Sequence, residues 1–147
     1  MFAWRCFLLR LFGARIGQDV HIYPSAKIYL PWNLSIGKES SIGEWTLIYN
    51  LGPVAIGEQV TVSHRAHLCG GTHDYSDPTL PLQRMPITIK SKAWICADAF
   101  VGPNVTVGEG AVVGAAAVVV KEVPAWSIIA GNPAKFIKKR QIVASKE

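Results

Sequence analysis

At 147 residues the chain has the length of one domain. Half of it is apolar and 17% is charged, which excludes global disorder and allows a substantial core. Lys and Arg outnumber Asp and Glu by 15 to 10, and the net charge of +5 favours anionic ligands or surfaces without naming one. Three cysteines, Cys6, Cys69 and Cys96, lie at no short spacing, which argues against a disulfide framework or a four-thiolate zinc site and fits a reducing compartment.

Residues 1–14 carry an apolar run from Phe2 to Phe12, broken by Arg5 and Arg10. No stretch approaches the ~20 apolar residues of a membrane span. The run also lacks the small-residue cleavage site of a secretory signal. Its spacing predicts a short amphipathic helix ended by Gly13 that covers one end of the core. A sharper role would lay it on a membrane surface, arginines toward lipid phosphates.

From residue 15 to 129 a six-residue period dominates. Aliphatic residues stand at Ile16, Ile22 and Ile28, then Ile36, Ile42 and Ile48, then Ile56, Val62 and Leu68. After a gap they resume at Ile89, Ile95, Val101, Val107, Val113 and Val119. A small or β-branched residue follows most of them four places on, such as Val20, Ala66 or Ala117. This period fits neither a helix nor plain strand alternation. It predicts a solenoid in which each hexapeptide is one short strand and one turn, and three hexapeptides close a triangular coil. The two-residue slips after Ile28 and Ile48 predict bulges at one corner. A β-sandwich would space its strands less regularly, at about 8–12 residues.

Residues 69–86 break the phase with Gly70, Gly71, Pro78, Pro81 and Pro86, which predicts an external loop on an intact scaffold. His73 stands near its start. A histidine here is a candidate general base, since imidazole exchanges protons near neutral pH. Asp74 or a backbone carbonyl would orient its ring. Cys69 has no obvious base partner and is not taken as a nucleophile. Beyond Pro124 the repeat ends. Residues 130–147 form a cap and tail, in which Phe136-Ile137-Lys138-Lys139-Arg140 is read as a short amphipathic capping helix.

Three stretches carry a family likeness: Gly71-Thr72-His73-Asp74-Tyr75-Ser76-Asp77-Pro78, Ala93-Trp94-Ile95 and Ala130-Gly131-Asn132-Pro133-Ala134-Lys135. With the repeat, they resemble the hexapeptide-repeat acyltransferases. The likeness is greatest to sugar O-acetyltransferases and to exopolysaccharide acetyltransferases of the colanic acid type. The resemblance implies an all-β, left-handed parallel β-helix that assembles as a homotrimer with active sites between subunits. It implies acetyl-CoA as cosubstrate and His73 as catalytic base. Trp94, Ala97, Ala115, Val120, Lys121, Lys135 and Lys138 match positions that line the coenzyme A site, with Val120 standing where the family commonly has Thr. On the acceptor side Asn50 is the nearest match to a family asparagine, displaced by a residue, and Trp45 and Tyr49 are candidates to stack on a sugar ring.

The expected reaction is acetylation of a sugar or polysaccharide-precursor hydroxyl through a ternary complex. Location is expected to be cytoplasmic, with peripheral contact at the inner face of the membrane left open. Rival readings are an acyltransferase acting on serine or an amino sugar, and a non-catalytic scaffold. A third is a zinc protein like the gamma-class carbonic anhydrases, using His64, His67 and His73. Within one chain these histidines fall on different faces of the prism, so no metal is expected. No nucleic-acid motif accompanies the positive charge.

Overall fold

The computed structural model describes residues 1–145. The chain winds as a three-sided solenoid whose faces are parallel sheets. The first face stacks Arg15–Ile16, Leu34–Ile36, Val54–Ile56, Ile87–Ile89 and Thr106–Val107. The second stacks His21–Ile22, Ser41–Ile42, Thr61–Val62, Trp94–Ile95, Val112–Val113 and Ser127–Ala130. The third stacks Lys27–Ile28, Leu47–Tyr49, His67–Cys69, Phe100–Val101 and Val118–Val119. The strands are short because each edge of the triangle holds only a few residues before the chain must turn.

The aliphatic period becomes three inward columns. Ile22, Ile42, Val62, Ile95 and Val113 form one of them and are almost wholly buried. The small residues four places later are buried at the corners, where little room remains. Two of these are polar and are satisfied locally. The Ser40 hydroxyl donates to the Gly57 carbonyl at 2.9 Å, and the Thr46 hydroxyl donates to the Ser63 carbonyl at 3.1 Å. Neighbouring rungs supply the backbone hydrogen bonds, so each coil is held by the next.

Register follows coil length. Arg15 pairs with Ser35, 20 positions on, whereas Thr88 pairs with Thr106, 18 on. The extra residues lie at the third corner, between the third face and the next coil. There Pro31–Asn33 makes a 3₁₀ turn in the first coil, and Leu51 to Pro53 bulge in the second. Residues 70–86 occupy this corner in the third coil. They form an antiparallel hairpin, Gly71–His73 against Leu82–Arg84, and the regular coils resume at Ile87.

Both ends are closed. The N-terminal helix spans Phe2–Leu11 and buries Cys6 against the first coil. Its arginines do not face outward to lipid, as one expectation had them. Arg5 donates to the carbonyls of Pro24, at 3.0 Å, and Ala26; Arg10 donates to those of Ile16 and Gly17 at 3.0 and 2.8 Å. These carbonyls belong to the first coil, which has no coil below it to pair with. At the other end the expected capping helix is a strand. Lys135–Lys139 runs antiparallel to Ser127–Ala130, with a register shift between Ile128 and Ile129. A sheet edge offers unpaired N–H and C=O groups that a strand satisfies and a helix does not. Residues 146 and 147 of the expected tail lie outside the described residues.

Candidate active site

His73 ends the first strand of the hairpin, exposed to solvent. Its Nδ1 lies 2.7 Å from the carbonyl oxygen of Leu80. A carbonyl can only accept, so Nδ1 carries a proton, and in the neutral ring the lone pair is on Nε2. Leu80 takes a left-handed backbone conformation, φ 48°, between Pro78 and Pro81, and this turns its carbonyl toward the ring. Of the two orienting groups left open by the sequence, the backbone carbonyl is the one in place. Asp74 is turned away. Its carboxylate accepts from the Ser76 N–H at 2.9 Å and from the Ser76 hydroxyl. These bonds hold the Asp74 carboxyl below its ordinary pKa, so it stays ionised as a loop-shaping group. Asp77 does the same for Thr79, accepting from its N–H at 2.8 Å and its hydroxyl at 2.7 Å.

The hairpin is seated on the second coil. Gly71 lies against the Tyr49 ring, where an added methyl group would stand 2.9 Å from Cε1. The Tyr49 ring meets Tyr29 edge-on at 4.8 Å between centroids. Tyr49 therefore lies at the hairpin's corner, against the residue two positions before His73, and Tyr29 extends the same aromatic shelf. Trp45 is placed differently. It sits exposed in the turn column of the second corner, with Arg65, Asp98 and Ala116 in the same left-handed conformation.

Asn50 does not face an acceptor. It is fully buried, its Oδ1 accepts from the Leu30 N–H at 3.0 Å, and its Nδ2 donates to the Leu30 carbonyl at 2.6 Å. Two extra residues per coil leave Leu30 without a backbone partner at this corner, and the amide side chain replaces that partner. Asn33 adds a bond from Nδ2 to the Leu51 carbonyl at 3.0 Å.

Of the residues matched to the coenzyme A site, Val120, Lys121 and Lys135 line one cleft of about 280 Å³ where the last coil meets the C-terminal crossing. Pro133 and Phe136 share its wall, and periodicity gave no sign of either. Ala97 and Ala115 lie on the second corner instead, linked by the Ala116 N–H to Ala97 carbonyl bond at 2.9 Å. Trp94 projects half-exposed from the second face, and its indole N–H donates to the Ser63 hydroxyl at 2.9 Å. Lys138 lies on the exposed terminal strand, in register with Ile128. Arg140 closes that strand onto the solenoid, donating to the carbonyls of Lys92 and Gly110 at 2.9 and 3.0 Å.

The three histidines considered for a metal have separate settings. His73 faces Leu80, His64 lies near Asp98, whose carboxyl is held below its ordinary pKa chiefly by the Arg65 guanidinium, and the His67 ring meets Phe100 edge-on at 5.2 Å. No group of three or more potential ligands gathers among the described residues. The Cys69 thiol points to the Gly71 carbonyl at 3.2 Å.

His67 carries a consequence for stability. Its Nε2 is buried without a hydrogen-bond partner among the described residues, and burial holds its pKa below the ordinary histidine value. The unfolded chain therefore binds a proton that the folded chain refuses. Stability contributed by neutral His67 is present above the unfolded pKa of about 6.5 and is lost as pH falls below it. Denaturant midpoints taken between pH 7.5 and 5 should fall more for the natural protein than for His67→Gln.

No family model matches the chain. The putative colanic acid biosynthesis acetyltransferase WcaF of Escherichia coli is 44% identical over 140 residues, covering 95% of this chain and 77% of that protein. Among solved structures, a hexapeptide-repeat acetyltransferase from Vibrio cholerae superposes with a TM-score of 0.90 at 23% identity, over 97% of this chain and 82% of its own. The N-acyltransferase AntD of Bacillus cereus, solved with dTDP and 3-hydroxybutyryl-CoA, superposes with a TM-score of 0.75 at 26% identity, over 92% and 88%. No helix among the described residues is long and apolar enough to cross a membrane. The identity to WcaF over nearly the whole chain, together with the coiled hexapeptide fold, makes this chain a member of the hexapeptide-repeat acetyltransferase family.

Proposed function

We propose that the protein transfers an acetyl group from acetyl-CoA to a hydroxyl of a sugar or polysaccharide precursor, with His73 as general base. The observation that carries this is the 2.7 Å contact from His73 Nδ1 to the Leu80 carbonyl, which leaves Nε2 free to accept a proton. Acetyl-CoA supplies the activated acyl carbon. His73 Nε2 takes the hydroxyl proton as the acceptor oxygen attacks the thioester carbonyl, and a backbone N–H at the coil edge offsets the developing negative charge. Collapse then breaks the C–S bond, and the imidazolium returns the proton to the departing coenzyme A thiolate. No acyl-enzyme is invoked, so both substrates are bound together and positioning supplies much of the rate.

Lys121 and Lys135 beside the cleft suit the phosphates of coenzyme A, and the apolar Val120 and Phe136 suit its pantetheine arm. His73 and Lys121 arise at the third corner, whereas Ala97 and Ala115 arise at the second. A homotrimer with sites between subunits, as the family resemblance implied, reconciles that separation. Sedimentation velocity tests it directly. In this reading the enzyme works in the cytoplasm, where acetyl-CoA is available, on an acceptor presented as a soluble or carrier-linked sugar.

Incubation with acetyl-CoA and a panel of sugar nucleotides, followed by mass spectrometry, tests the reaction. Ester products support the reading. Amide products only would favour the second one, N-acylation of an amino sugar. That alternative is supported by AntD, of which a mutant has been solved with dTDP-4-amino-4,6-dideoxyglucose and coenzyme A. Asp77→Ala should lower kcat several-fold with the KM for acetyl-CoA unchanged, because it frees the turn that presents the Leu80 carbonyl. A matching fall in the folded fraction, read by circular dichroism, would assign Asp77 to folding alone.

A further inference from the structure

We propose that the helix-capped end of the solenoid docks on an anionic lipid surface. The helix Phe2–Leu11 is apolar on two opposite sides. Phe2, Cys6 and Leu9 face the first coil: Cys6 is buried, Leu9 packs on the core, and the Phe2 ring stacks on His21 at 4.8 Å. Trp4, Phe7 and Leu11 form the other stripe, at 64%, 53% and 68% exposure, and Phe12 continues it at 62%. The Trp4 and Phe7 rings stack on each other at 5.7 Å. Trp32, also exposed, has its Cβ beside Gly13 at the helix end, which adds another ring to the same end of the molecule. A helix apolar on two opposite sides is ordinarily covered on both. Exposed large apolar side chains gathered at one end of a molecule mark a contact surface.

Charge identifies what covers it. The first strand of each face carries a base at its outward position: Arg15, His21 and Lys27, all exposed. They set a basic collar on the first coil, one on each face of the prism, next to the helix that bears the apolar stripe. Asp19 is the single acidic residue in the first 28. A second copy brought to this face would set collar against collar, a like-charge contact that opposes association. An anionic bilayer meets both features. Aromatic rings settle at the headgroup boundary, and bases settle against phosphates. Arg5 and Arg10, committed to carbonyls of the first coil, are not part of this surface. The proposal stands apart from the acetyl-transfer reading, since none of these residues lines the coenzyme A cleft or touches His73.

The full chain, cosedimented with vesicles of phosphatidylcholine alone or of phosphatidylcholine and phosphatidylglycerol in equal parts, provides the test. Partition into the anionic vesicles is expected, weakened by salt, with little binding to the neutral ones. Trp4→Ser with Phe7→Ser should lower it by about tenfold or more. Arg15→Gln with Lys27→Gln should lower it by about 25-fold, taking each base as about fivefold. Thermal melts and acetyl-CoA binding in solution should be unchanged in both variants, which separates lost docking from lost folding. Absence of binding to either vesicle would overturn the proposal. So would equal binding to both that the charge variant leaves intact. A sedimentation mass that falls on replacing Trp4 and Phe7 would also overturn it, by assigning the stripe to a second copy.

Discussion

Replacing His73 with alanine is expected to lower acetyl transfer by about 10²–10⁴-fold, the range for removing a general base. Acetyl-CoA binding should persist, because the cleft at Val120, Lys121 and Lys135 is built from the last coil and the terminal crossing, not from the hairpin. The fold should persist as well. His73 is exposed, and its recorded hydrogen bond is a local one to Leu80 within the same hairpin. Isothermal titration with acetyl-CoA and a thiol-release assay, run on the same preparation, separate the two effects. Retained turnover in the variant would remove His73 from the chemistry and leave the family assignment standing.

The second large effect is on stability. Ile95 is fully buried in the inward column of the second face, paired between Val62 and Val113. Ile95→Ala should cost about 2–5 kcal/mol, from lost burial and the cavity left in a close-packed column. Its neighbour Trp94 points outward, with its indole bonded to Ser63. Trp94→Ala should cost about 1 kcal/mol in stability. Under the proposed function it should also weaken acetyl-CoA binding. Chemical denaturation of the two variants side by side reads out the alternation of the strand. Similar losses for both would show that Trp94 is part of the packed structure, not a wall of a binding site.

The fold was legible because the inward columns need an apolar residue at a fixed interval and tolerate little else. Ile22, Ile42, Val62, Ile95 and Val113 announce one face by spacing alone. The hairpin was legible as an interruption of that spacing. What spacing cannot reveal is the demand made by a backbone left unpaired. Asn50 looked like an acceptor ligand, yet the lengthened corner left the Leu30 N–H and carbonyl in need of a partner. Phe136 to Arg140 looked like a helix, yet the exposed edge of Ser127–Ala130 drew Lys135–Lys139 into a strand. A main-chain carbonyl was one of two candidates to orient His73, but which carbonyl it is was hidden for a related reason. It is that of Leu80, aimed by the left-handed turn there, and no side-chain motif encodes it.

The closed ends bear on what the molecule does not become. A stack of rungs has no intrinsic length: a bare last rung is a template on which the first rung of another molecule would grow. Here four carbonyls of the first coil, those of Ile16, Gly17, Pro24 and Ala26, accept from Arg5 and Arg10, and the final parallel strand is met by an antiparallel one bearing Lys135, Lys138 and Lys139. Reversed strand direction and clustered like charge both obstruct a further parallel rung. The caps thus set a finite particle against an open fibre, and they do so with residues that lie outside the repeat itself.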